Sequence, residues 1–344
     1  MSTQGYDRYR GRGGPRLVWI IVLLLILLGA VAFLVCQRYL VYDEDGRPHW
    51  ELPFGRSSQE DENPISPEDV NIEREDPKPD PEPEPAAEPR RLLEEIHARE
   101  LENGSLWWNT NYVLSLLEEA MSVEVKRPGG SIAYFTDVEM PKGVIVEQGV
   151  TRNNLVTLLG SDHYAVARIS CFRDDAYAAA MPDMALCTAE GRPWPDGDGR
   201  LWLDPGNAGT LAYLTALCRE CAELGFDEIL LDAFCYPVSG ETETIDLPEE
   251  LDRTAVLIDF AAALRKALPE ETVLSVALRG EMGATGGSSG LTAELLTSFD
   301  RIYVDESADL AALESVLPAD FDRAGGLALL TKTRPESGGY LLLP

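Results

Sequence analysis

The residues best placed to do chemistry are charged side chains at the ends of short apolar runs. Asp232 ends Ile229-Leu230-Leu231-Asp232 and is followed by Ala233-Phe234-Cys235-Tyr236-Pro237. Burying a carboxylate alone in such a run is costly, so it must be paired or open onto a site. Glu281 follows the apolar run 272–278 in a glycine-flanked turn, and Asp305 and Glu306 follow 301–304. Glu124 and Lys126 close 121–126, while Arg168 lies inside 164–172 with Arg173, Asp174 and Asp175 just beyond. Two facing carboxylates can protonate a leaving oxygen and serve as nucleophile or base, which is the equipment of glycoside hydrolysis. Trp107, Trp108, Trp194 and Trp202 offer flat faces on which sugar rings stack. The blander readings are an ion pair at Asp232, a strand-end ion pair for Glu124 and Lys126, solvated loop carboxylates elsewhere, and ordinary packing for the tryptophans.

Positioning these groups requires a scaffold, and the region from residue 90 supplies alternating patterns. Helical spacing is expected over 91–102, 112–120, 153–159, 210–224, 254–268, 291–298 and 310–317. Strands are expected near residues 106, 123, 168, 231, 275, 303, 328 and 341. Gly225 is placed to cap the 210–224 helix. Apolar strands alternating with helices imply a parallel sheet covered by helices. Eight strands over 90–344 fit an α/β fold of the (β/α)8 TIM-barrel type, shortened or irregular at its first strand. In such barrels working residues stand at the C-terminal ends of strands, which selects the charged groups above. A doubly wound open sheet is the alternative, but no G-x-G-x-x-G or phosphate loop follows any strand. Residues 283–290 are Gly/Ser-rich and read as a flexible loop over the barrel mouth.

Ahead of the domain, residues 17–36 form an uncharged apolar run. At about 1.5 Å per residue it spans a hydrocarbon core of ~30 Å. Arg8, Arg10, Arg12 and Arg16 precede it; Asp43, Glu44 and Asp45 follow. The positive-inside rule then keeps 1–16 in the cytoplasm and places the remainder outside a cell membrane. A cleaved signal peptide ending near Ala30-Val31-Ala32 is the competing reading. Residues 37–89 are acidic and Pro-rich, with Asp76-Pro77-Lys78-Pro79-Asp80-Pro81-Glu82-Pro83-Glu84-Pro85 at the centre, and read as an extended linker. With 59 acidic against 29 basic residues the chain carries a formal charge of −30, which argues against nucleic acid and favours neutral or cationic ligands. Six cysteines and three scattered histidines give neither a disulfide framework nor a metal motif. Cys218 and Cys221 form a lone C-x-x-C on a helix. No metal and no cofactor are expected.

One ordered series of motifs is more specific. It runs Ala167-Arg168-Ile169 to Phe172-Arg173-Asp174, then Pro182-Asp183-Met184-Ala185, then Trp202-Leu203-Asp204-Pro205. It closes with Glu223-Leu224-Gly225-Phe226-Asp227-Glu228-Ile229, Asp232 and Pro237. Glu124-Val125-Lys126 followed by Gly129-Gly130 resembles an upstream Asp-Val-Lys strand. Together these resemble the bacterial "Putative glycosyl hydrolase domain" family. That resemblance implies a TIM-type barrel and a carbohydrate partner, namely polysaccharide or cell-wall glycan. The family usually reads aromatic-Asp-Tyr-Val-Arg-Phe-Pro at the fourth strand; here Ala233 replaces the Tyr and Cys235 the Arg. By looser similarity to alpha-amylase-type barrels, Asp232 takes the place of the nucleophile and Glu281 that of the acid/base, although Leu230 stands where those barrels carry an Arg. The expected site is therefore catalytic Asp232 and Glu281, with Glu124, Lys126, Arg168, Trp202, Asp204 and Asp305 as substrate-binding residues. A barrel that binds glycan without cutting it, or a surface scaffold, remains the alternative function.

Overall fold

The computed structural model describes residues 40–42, 48–50, 92–117, 120–279, 288–306, 308 and 310–344. The apolar run 17–36 and most of 37–89 lie outside the described residues. Among those described, no helix is long and apolar enough to cross a membrane. Within the stretch expected as linker, Leu40–Tyr42 pairs antiparallel with Pro48–Trp50.

The larger unit is a closed barrel of eight strands. They are β1 (His97–Glu100), β2 (Ala120–Lys126), β3 (Tyr164–Ser170), β4 (Glu228–Asp232), β5 (Val273–Leu278), β6 (Arg301–Asp305), β7 (Leu327–Thr331) and β8 (Gly339–Leu342). Each pairs parallel with its sequence neighbours, and β8 pairs parallel with β1 to close the ring. The helices are α1 (Thr110–Leu114), α2 (Gly149–Leu159), α3 (Asp175–Ala180), α4 (Ala208–Leu224), α5 (Arg253–Ala267), α6 (Ala293–Leu296), α7 (Leu310–Val316) and α8 (Arg323–Gly326). The (β/α)8 expectation is thus met, with irregular and short helices in places.

Local chemistry explains the main boundaries. Asn207 caps α4 by accepting from the Gly209 and Thr210 amides, and Gly225 ends it at φ 107°. A left-handed residue there frees the chain to turn into β4, and glycine adopts it without strain. Asp252 and Asp174 cap α5 and α3 in the same way.

Strand alternation sorts side chains into two compartments. Val123, Ala165, Ala167, Ile169, Ile229, Leu231, Leu274, Val276 and Ile302 face the helices and belong to the large outer core. Ala98, Tyr164, Val166, Leu230, Ala277, Tyr303, Leu330 and Leu341 fill the barrel interior. Below that apolar plug Glu228 and Arg301, both fully buried, form an ion pair. Tyr164 donates to the same Glu228 oxygen at 2.9 Å, and Arg301 also donates to the carbonyls of Gly325 and Leu93. The interior is a filled core closed at its N-terminal end, and the C-terminal mouth is the end at which TIM-barrel sites are built.

The first strand is a correction to the sequence reading. Residues 91–102 carry Leu92, Leu93 and Ile96 at helical spacing, yet His97–Glu100 is a strand with Ala98 and Glu100 turned inward. The run near residue 106 is a single 3-10 turn, Ser105–Trp107. Four residues are too few for period two to outweigh period 3.6, and Glu100 occupies a core position that hydropathy scores as surface.

Candidate functional site

The mouth is organised by one guanidinium. Arg168, on β3, is 6% exposed and points into the barrel just above Val166. Its Nε and Nη2 donate to the two carboxylate oxygens of Glu100 at 2.5 and 2.9 Å. Nη2 also meets Glu124 Oε1 at 2.6 Å, and Nη1 donates to Asp232 Oδ2 at 2.8 Å. Strand register makes this meeting unavoidable: Glu124 is paired with Arg168, and Asp232 sits one strand further beside Ser170. Arg279, just past β5, brings its Nε to 2.9 Å from the same Asp232 oxygen. Three carboxylates thus share two guanidiniums.

Burial lifts the Glu100 carboxyl above its ordinary range; Arg168 opposes the lift, and the Glu124 charge adds to it. Burial also works against the charge on Arg168, but Asp232 and Glu100 outweigh it and raise its pKa. The guanidinium therefore stays charged, while the raised pKa of Glu100 favours its protonated form.

Asp232 is held by its backbone as well. Its Oδ1 accepts from the Ala233 amide at 2.9 Å, and its carbonyl accepts from the Cys171 amide at 2.7 Å. Ala233 has φ 52°, the one positive φ on a non-glycine among the described residues. An alanine held in the left-handed region costs of order 1 kcal/mol, and such strain concentrates at functional sites.

Glu100 also lines a cleft of about 220 Å³, whose walls include Arg99, Trp108, Tyr112, Leu342 and Leu343. Trp108 and Tyr112 are about half exposed, with ring centroids 5.7 Å apart and planes at 35°. Exposed aromatic faces of this kind are flat surfaces on which a ring can stack.

The other expected residues divide. Glu124, Arg168 and Asp232 come together at the mouth. Glu281 lies outside the described residues, as does most of the Gly/Ser-rich loop. Lys126 is a correction: it is fully buried, 2.9 Å from Asp174, and also donates to the Ser170 and Cys171 carbonyls. A register shift between Glu124 and Lys126 sets Lys126 opposite Ile169, an outward-facing position. This bulge turns the ammonium out of the mouth and under α3. Trp202 is likewise 2% exposed and donates its indole N–H to Asp196 at 2.9 Å, so it is core. Trp194 is buried too, bonded to the Glu241 carbonyl and Thr244. Asp204 is half-buried on the loop between β3 and α4, its carboxyl raised by burial against the pull of the Gly206 amide. Asp305 ends β6, half-buried. Glu100 escapes the sequence reading because its stretch has helical spacing and hydropathy scores an acid there as surface.

A model of the "Putative glycosyl hydrolase domain" family matches residues 113–295, more than half of the chain. Among solved structures, a hypothetical protein from Ruminiclostridium thermocellum is 25% identical over 48% of this chain and 89% of its own, with a TM-score of 0.42. The TtGalA alpha-galactosidase from Thermus thermophilus is 16% identical over 63% of this chain and 42% of its own, at a TM-score of 0.39. The maltogenic alpha-amylase AmyB from Thermotoga neapolitana is 11% identical over 74% of this chain and 68% of its own, at 0.43. The chain therefore spans about two fifths of the Thermus enzyme. No curated protein matches.

Proposed function

The chain belongs to the "Putative glycosyl hydrolase domain" family, and from that premise we propose a glycoside hydrolase that acts on extracellular or cell-wall polysaccharide. In this reading residues 17–36 anchor it in a cell membrane, residues 37–89 space it from that surface, and the domain from residue 90 works outside. The observation that carries the catalytic part is the grouping of Glu100, Glu124 and Asp232 on Arg168, beside a cleft walled by Trp108 and Tyr112.

A sugar ring stacks on Trp108 and Tyr112 with its glycosidic oxygen over Glu100. Glu100, its pKa raised by burial, donates a proton to the departing oxygen. Asp232 is the second carboxylate, acting as nucleophile or as base toward water, oriented by Arg168, Arg279 and the Ala233 amide. Glu124, Asp204 and Asp305 are left to contact substrate hydroxyls. Glu100 thus takes the acid role that the sequence alone suggested for Glu281.

The complete pairing of the three carboxylates favours a second reading, a barrel that binds glycan without cutting it. Both are tested by exposing a polysaccharide panel to the full chain, wild type beside Asp232→Asn. Product release by the wild type that vanishes in the variant supports the hydrolase. Binding to one glycan with no release from any supports the binder, and silence in both assays ends the carbohydrate reading.

A further inference from the structure

Seven shielded side-chain polar atoms lack a hydrogen-bond partner among the described residues, and four of them are donors on segments leaving β3, β4 and β5: Arg173 Nε, Tyr236 Oη, Arg279 Nε and Arg279 Nη2. Arg279 is the sharpest case. Nε and Nη2 form the side-on edge of a guanidinium, with two N–H bonds pointing the same way. Asp232 Oδ2 lies 2.9 Å from Nε, near enough to pair in charge, yet neither N–H finds an acceptor in its own direction. In the same mouth the equivalent edge of Arg168 carries both oxygens of Glu100. That pairing shows what the edge is shaped for: a planar carboxylate, bound by two parallel bonds.

Leaving charged donors dry and unmet is expensive, and such groups in a fold call for a ligand or a functional reason. We propose that Arg279 receives the carboxylate of an acidic sugar, so that the substrate of this barrel is a uronic-acid-containing glycan. This rests on the carbohydrate reading of the mouth and names its substrate class. The formal charge of −30 does not oppose it at contact range, because exposed charges are screened beyond ~10 Å in ordinary salt, whereas Arg279 acts at hydrogen-bond distance.

The test uses the full chain and oligosaccharides of galacturonic, glucuronic and mannuronic acid, each beside its neutral methyl ester. Calorimetry with the wild type is expected to show at least one acid binding roughly tenfold to a hundredfold tighter than its ester, as two charge-assisted bonds provide. Arg279→Lys keeps the charge but loses the fork, and it is expected to bind acid and ester within about threefold of each other while its melting curve shows that it remains folded. Equal affinity of every acid and its ester for the wild type overturns the inference, as does discrimination that survives in Arg279→Lys. If neutral glycans are bound or cut and no uronide is preferred, the carbohydrate reading stands and only the substrate class falls. If no glycan of either kind binds, both fall.

Discussion

Arg168→Met is the perturbation that most fully exposes the logic of the mouth. The variant keeps the volume of the side chain's stem and removes the charge that Glu100, Glu124 and Asp232 share. Breaking a buried ion pair by deleting one partner costs about 3–5 kcal/mol, because the remaining charge is left uncompensated. With a urea slope of about 2–3 kcal/mol per M for a domain of this size, the unfolding midpoint at pH 7 should fall by roughly 1–2 M. The loss must also depend on pH, with a defined sign. The pKa of Glu100 is already raised in the folded state, so the fold binds more protons than the unfolded chain above the ordinary carboxylate range. Stability contributed by such a group is present at low pH and lost as pH rises through the folded pKa. Deleting Arg168 removes what holds that pKa down. The deficit relative to wild type is therefore expected to shrink between pH 7 and pH 5, as the stranded Glu100 takes up its proton. Urea unfolding followed by tryptophan fluorescence at both pH values measures this. A deficit below about 0.5 kcal/mol at pH 7, or one that grows on acidification, would refute the account of the network.

Three further outcomes follow from other parts of the structure. Ala233→Gly should raise stability by up to about 1 kcal/mol in thermal unfolding, because glycine takes φ 52° without the Cβ strain, although its greater unfolded-state entropy subtracts from the gain. Trp108→Ala removes a half-exposed ring and should leave the unfolding midpoint within about 0.5 kcal/mol of wild type. The same variant should lose about 1–2 kcal/mol of glycan affinity in titration calorimetry. Lys126→Met strands Asp174, itself fully buried. It should cost about 3–5 kcal/mol in urea unfolding, a structural loss expected at a residue placed outside the mouth.

Much of the architecture was legible because β3, β4 and β5 are continuous apolar runs and α4 and α5 carry clear caps. Such strands are buried on both faces, so a charge inside one or at its end stands out in the sequence, as Arg168 and Asp232 do. The four residues of β1 carry no comparable pattern, and their one catalytic candidate, Glu100, sits where a helical spacing of leucines and isoleucine dominates the reading. Lys126 lies outside the mouth for a different reason. Alternation along β2 predicts an inward side chain after Glu124, and only a bulge, which composition does not encode, turns it away. The tryptophans divide by environment alone. Trp108 lies half exposed after the 3-10 turn that follows β1, whereas Trp202 is drawn into the core by Asp196. A sequence shows that an aromatic ring is present, but its exposure depends on the loops that pack over it.

The most direct test of the central claim is the pH dependence of kcat/KM for wild type and Glu100→Gln, on whichever glycan of the panel the wild type cleaves. The account predicts a wild-type rate that falls on the alkaline side as Glu100 loses its proton, above the ordinary carboxylate range. It predicts that Glu100→Gln loses roughly 100-fold to 10,000-fold in rate, and the alkaline limb with it. A Glu100→Gln enzyme that keeps its rate and profile, or a wild type that cleaves none of the glycans, would contradict it.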